Sequence, residues 1–140
     1  MGPEEARSAC AFGRTVPAVA ENVAPLRHAV VELATRHNVN DEVKTDLALA
    51  VGEACANVVV HAYPPGDVGP LIVHAEIKDG EIVIEVCDQG QGMTPRPDSP
   101  GLGLGLPLIA NLADRLEIKD NGGGVGTQLM MAFSLKREAA

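Results

Sequence analysis

Between residues 22 and 63 apolar side chains recur every three or four positions; from residue 71 they alternate with polar ones. The first period predicts a helix over Asn22–Arg36 with Leu26, Ala29, Val30 and Leu33 on its buried stripe. Pro25 falls in its first turn, where a missing N–H is tolerated. Asn38–Asn40 interrupts the pattern. Asn40 is placed to cap a second helix, whose positive end suits Asp41 and Glu42. This helix buries Leu47, Ala50, Val51, Ala54 and Val58, runs to Tyr63 and stops at Pro64–Pro65.

The strand period then takes over. Leu71–Lys78 and Glu81–Asp88 flank Asp79–Gly80, a strong two-residue hairpin signal. In the second strand Ile82, Ile84 and Val86 share one face, and Glu81, Val83 and Glu85 the other. That alternation suits an antiparallel sheet covered on one side. Cys10–Val16 predicts a short edge strand ended by Pro17, and residues 1–8 a frayed terminus. Leu106–Arg115 predicts a third helix, followed by Leu116–Asp120 and Thr127–Leu135 as a hairpin around Asn121–Gly126. The expected fold is α+β: one domain over 1–140, a two-layer sandwich of a mostly antiparallel mixed sheet with helices on one face.

Polar residues break the apolar run of the second helix at Glu53, Asn57 and His61, each four positions from the last. On a regular helix such residues lie about 6 Å apart along the axis and point to nearly the same side. A carboxylate and a carboxamide on a largely buried helix are costly unless a polar partner meets them. A hydrated magnesium ion with a phosphate chain is one such partner. For His61, a satisfied helix-end histidine is the simpler explanation.

Composition narrows the classes. The chain has 140 residues, 46% hydrophobic, with a single Tyr, two Phe and no Trp. The core must therefore be aliphatic, and aromatic stacking of single-stranded nucleic acid has almost nothing to work with. The net charge of −8, with no basic run, argues against nucleic-acid binding. It does not argue against a nucleotide, whose phosphates can be held by a metal and backbone N–H groups. Cys10, Cys55 and Cys87 form no C-x-x-C pair, which suggests neither a disulfide framework nor a zinc site. With no membrane-length apolar run and no leader pattern, a soluble cytoplasmic protein is expected.

Three glycine motifs follow. Asp88-Gln-Gly-Gln-Gly92 begins at a strand end, where a flat ligand can approach and the carboxylate can accept a hydrogen bond from an exocyclic amine. Gly101-Leu-Gly-Leu-Gly-Leu106 leads into a helix, an anion site by its N–H groups. Gly122-Gly-Gly-Val-Gly-Thr127 enters the last strand. Taken singly, a turn or a hinge explains each as well.

Their order is more specific. E-x-x-x-N on a helix, D-x-G-x-G at a strand end, G-x-G-x-G before a helix and G-x-G-T before a strand resemble the Bergerat-fold, histidine-kinase-like ATPases over about Asp41–Phe133. Within that superfamily Gly52-Glu-Ala-Cys-Ala-Asn-Val-Val-Val-His-Ala-Tyr63 is similar to the anti-sigma-factor serine kinases. These kinases sequester a sigma factor and phosphorylate a STAS-type anti-anti-sigma protein, commonly as homodimers. The resemblance implies ATP and Mg²⁺ as cofactors. It makes Asn57 the Mg²⁺ ligand and Glu53 the general base on the acceptor serine. Asp88, supported by Thr127, would bind the adenine amino group, with Gly90, Gly92 and Met93 beside it. Gly101, Leu102, Gly103, Leu104, Gly105 and Leu106 would wrap the phosphates. A nucleotide-dependent binding regulator without kinase activity is the alternative; retention of Glu53 favours the enzyme.

Overall fold

The computed structural model describes residues 10–90, 100–120 and 126–136. A five-stranded sheet, ordered β1-β2-β3-β5-β4, carries three helices. The strands are β1 (Ala11–Pro17), β2 (Pro70–Lys78), β3 (Glu81–Asp88), β4 (Arg115–Asp120) and β5 (Thr127–Ser134). The helices are α1 (Val23–Arg36), α2 (Asp41–Asn57) and α3 (Pro100–Leu112). A short 3₁₀ turn, Ala20–Asn22, precedes α1, and a π-helical turn, Val58–Ala62, extends α2.

Local chemistry accounts for the boundaries. Asn40 caps α2 as expected: it is extended, and its Oδ1 accepts the Val43 N–H at 2.9 Å. This satisfies one of the unpaired donors of the first turn. Asp79 and Gly80 join β2 to β3 with φ of 53° and 77°, the left-handed pair that a two-residue turn of this twist requires. Ile82, Ile84 and Val86 pair with Phe133, Met131 and Leu129 of β5, and all six are fully buried. Leu71, Val73 and Ala75 continue this inner face on β2. Against it lie Leu26, Val30 and Leu33 of α1, Leu47, Val51 and Ala54 of α2, and Ile109 of α3. Removing such side chains from water contributes about 1.5–3 kcal/mol each.

Three expectations are corrected. All four ladders are antiparallel, so among the described residues the sheet is not mixed. The helical crossover from β3 does return to a strand parallel to it, but β5 hairpins back between them and takes the pairing positions. Helix α3 begins at Pro100 and ends at Leu112, earlier at both ends than Leu106–Arg115. Proline favours a first helical position, and the glycine run is helical despite a cost of about 1 kcal/mol per glycine. Finally, α2 changes to a π turn after Asn57, where three successive β-branched valines crowd an α-helix. The single α-helix expected to run to Tyr63 is thus α-helical only to Asn57, and His61 falls on the π turn.

Candidate nucleotide site

Two polar clusters flank the π turn. The first is built on the last turns of α2. Asn57, the final α-helical residue, is 4% exposed, and its Nδ2 has no hydrogen-bond partner among the described residues. One turn earlier Glu53 is half-buried. Gly105 of α3 lies against both: a Cβ there would stand 2.5 Å from Asn57 Nδ2, 3.1 Å from Asn57 Oδ1 and 2.9 Å from Glu53 Oε2. A buried amide donor without a partner costs about 1–3 kcal/mol, and a ligand oxygen would relieve that cost. Arg27 of α1 packs across Gly52, with its Cδ and Nη1 each 3.6 Å from where a Gly52 Cβ would be. Arg27 is itself partly buried.

The second cluster sits where β3 ends and β5 begins. Asp88 and Thr127 are paired across the ladder and are 0% and 3% exposed, the buried polar residues besides Asn57 among those described. Asp88 Oδ1 accepts the Gly90 N–H at 2.9 Å, closing the turn that follows the strand. The Gly90 carbonyl accepts the Gly126 N–H at 3.0 Å, which ties this turn to the entry of β5. Glycine is required at both positions. A Cβ on Gly90 would run into the Ala62 carbonyl, and one on Gly126, at φ 82°, into the Asp88 carbonyl.

The structure therefore brings Glu53, Asn57 and Gly105 together, and Asp88, Gly90 and Thr127 together. Leu106 turns into the hydrophobic core. Gly101, Leu102, Gly103 and Leu104 lie on the first turns of α3, within the helix rather than in a loop before it. Gly92 and Met93 fall outside the described residues. Tyr63 and Gly126 were not singled out as site residues. For the first, the signal is its place at the end of the Gly52–Tyr63 motif. The second was one of several glycines in a run that a hairpin turn explains.

Two of the thiols are buried. Burial pushes Cys55 up to about 12. Cys87 is pushed up to about 11, first by burial and then by the charges of Glu85 and Asp88. Neither offers a thiolate near neutral pH. A cavity of about 290 Å³ lies elsewhere, at the β1–β2 edge among His74, Glu76, Lys78 and Glu85, and shares no residue with either cluster. Among the described residues no helix is long and apolar enough to cross a membrane.

Fold and site define an α+β domain with its buried polar residues on one helix and two strand ends. Residues 16–133 match the family described as histidine kinase-like ATPase domain, and the chain belongs to that family. Within it, the chain falls among the RsbW serine-protein kinases and anti-sigma F factors. It is 36% identical to the serine-protein kinase RsbW of Halalkalibacterium halodurans, over 89% of this chain and 83% of that one. It is 31% identical to the anti-sigma F factor of Caldanaerobacter subterraneus, over 90% and 85% respectively. In fold it matches the crystal structure of the RsbU and RsbW domains of a Mycobacterium tuberculosis protein. That match has a TM-score of 0.72 and 23% identity, and covers 92% of this chain and 33% of the other.

Proposed function

We propose that the chain is a single ATPase domain acting as an ATP- and Mg²⁺-dependent protein serine kinase. On this reading it sequesters a sigma factor and phosphorylates a STAS-type anti-anti-sigma protein, as a cytoplasmic homodimer. The observation that supports the enzymatic part is the buried Asn57 amide beside Glu53 under Gly105, whose Nδ2 lacks a hydrogen-bond partner among the described residues. The regulatory part is supported by relatives named serine-protein kinase RsbW and anti-sigma F factor.

The residues fit the cofactor. Among the described residues no three His, Cys, Asp or Glu side chains gather to hold a metal. Magnesium that keeps its waters and binds through one protein oxygen and the phosphates suits such a site. Asn57 would hold it through its carboxamide oxygen, and when bound it would neutralise phosphate charge. Asp88 would accept a hydrogen bond from the adenine amine, with Thr127 beside it. N–H groups of the first turns of α3 would face the phosphates. Glu53 would take the proton of the acceptor serine hydroxyl as its oxygen bonds to the γ-phosphorus and the bond to the β-phosphate oxygen breaks, releasing ADP.

The test is phosphate transfer from labelled ATP to a STAS protein of the same organism, followed by mapping of the labelled residue. A labelled serine is expected. ATP binding without any transfer would replace the kinase with a nucleotide-dependent sequestering protein.

A further inference from the structure

Tyr63 stands between the two clusters and belongs to neither. Its hydroxyl accepts the Gln89 N–H at 2.9 Å and donates to the Pro70 carbonyl. Its ring packs against Gly69 and Gly90, and a Cβ on either glycine would meet the ring. Burial holds the phenol above its ordinary pKa, so it stays protonated and can donate while it accepts. One side chain thus fastens the end of the π turn, the start of β2 and the backbone directly after Asp88.

The next link reaches the carboxylate. Gln89 leads into Gly90, whose N–H is held by Asp88 Oδ1 and whose carbonyl is held by Gly126. The turn after β3 is therefore gripped on one side by Tyr63 and Ala62 and on the other by Gly126. Asn57 lies immediately before the π turn and Tyr63 immediately after it. One five-residue turn thus separates Asn57 from the side chain that accepts the Gln89 N–H.

We infer that Tyr63 is a positioning residue for base recognition: through the Gln89 N–H it sets the Asp88 turn and so sharpens the preference for a base bearing an exocyclic amine. The inference rests on the proposed nucleotide site. A strut needed only for folding would weaken every ligand alike. A positioning residue affects the ligand that Asp88 reads.

The experiment compares wild type with Tyr63→Phe, which keeps the ring and removes both hydrogen bonds. Affinities for ADP and for IDP, which lacks the amine, are measured by competition with a fluorescent ADP analogue. Amide exchange at Gln89 is followed in parallel. In Tyr63→Phe, ADP affinity should fall about fivefold, the equivalent of one hydrogen bond. IDP affinity should change less than twofold, and the Gln89 amide should exchange faster. Equal losses for both nucleotides, or none, overturn the inference. Should Tyr63→Phe fail to fold, Gln89→Pro removes the same N–H from the other side and must narrow the ADP preference likewise. If wild type binds no nucleotide, the functional reading fails; unchanged Gln89 exchange in Tyr63→Phe would then sink the local claim as well.

Discussion

Gly105 of α3 stands directly over Asn57, so close that a methyl group in its place would come within 2.5 Å of Nδ2. The same methyl would lie 2.9 Å from Glu53 Oε2. A helical glycine thus forms the roof of the proposed metal and base pair.

Gly105→Ala tests that roof. In a free helix this change stabilises by about 1 kcal/mol, whereas overpacking costs about 1–3 kcal/mol. The expected result is an unchanged or lower Tm together with Mg²⁺-ATP affinity reduced at least about tenfold. A raised Tm with unaltered affinity would show that the contact has no role.

Glu53→Gln keeps the shape of the side chain and removes its basicity. ATP binding should stay within about twofold by calorimetry. Phosphate transfer should fall about 100-fold or more, the usual contribution of a general base. Transfer at the wild-type rate would remove Glu53 from that role.

Asp88→Asn replaces one buried carboxyl oxygen opposite Thr127 with an amide donor. A hydrogen bond to a charged acceptor contributes about 1.5–3 kcal/mol, so ADP affinity should drop about tenfold or more. Unchanged affinity would place the base elsewhere.

Alkaline pH should destabilise the fold. Cys55 and Cys87 move from 9.0 to about 12 and about 11, both mainly through burial. The folded chain holds these protons more tightly than the unfolded one. Their contribution is complete below about pH 9 and is lost as pH rises through 11 and 12. Urea unfolding at pH 8, 9 and 10 should show falling stability, with a shallower slope in Cys55→Ala. Parallel pH profiles for the two proteins would contradict the assignment.

Much of this architecture was legible in the chain because it rests on local chemistry. Asn40 at the start of α2, Asp79–Gly80 between β2 and β3, and the alternation of Ile82, Ile84 and Val86 each carry their structure in a few neighbouring residues. The association of Asp88 with Thr127 was legible only through the family resemblance, and the β3–β5 ladder pairs the two. What escaped depends on distant contacts. The first turns of α3 are glycine-rich and have weak helical propensity; Gly105 shows why, since only glycine fits over Asn57. The change from α to π at Val58–Ala62 is one that apolar periodicity does not register. Tyr63 acts 26 positions further along the chain, on Gln89, and its hydroxyl gives no local sign of that partner.

The most direct measurement is calorimetry of the folded protein with ATP and with ADP, each with and without Mg²⁺. The account predicts micromolar binding of both nucleotides, with ATP affinity strengthened by Mg²⁺ in wild type and no longer responsive to Mg²⁺ in Asn57→Ala. Folded protein that binds neither nucleotide, or a magnesium response that persists in Asn57→Ala, would contradict it.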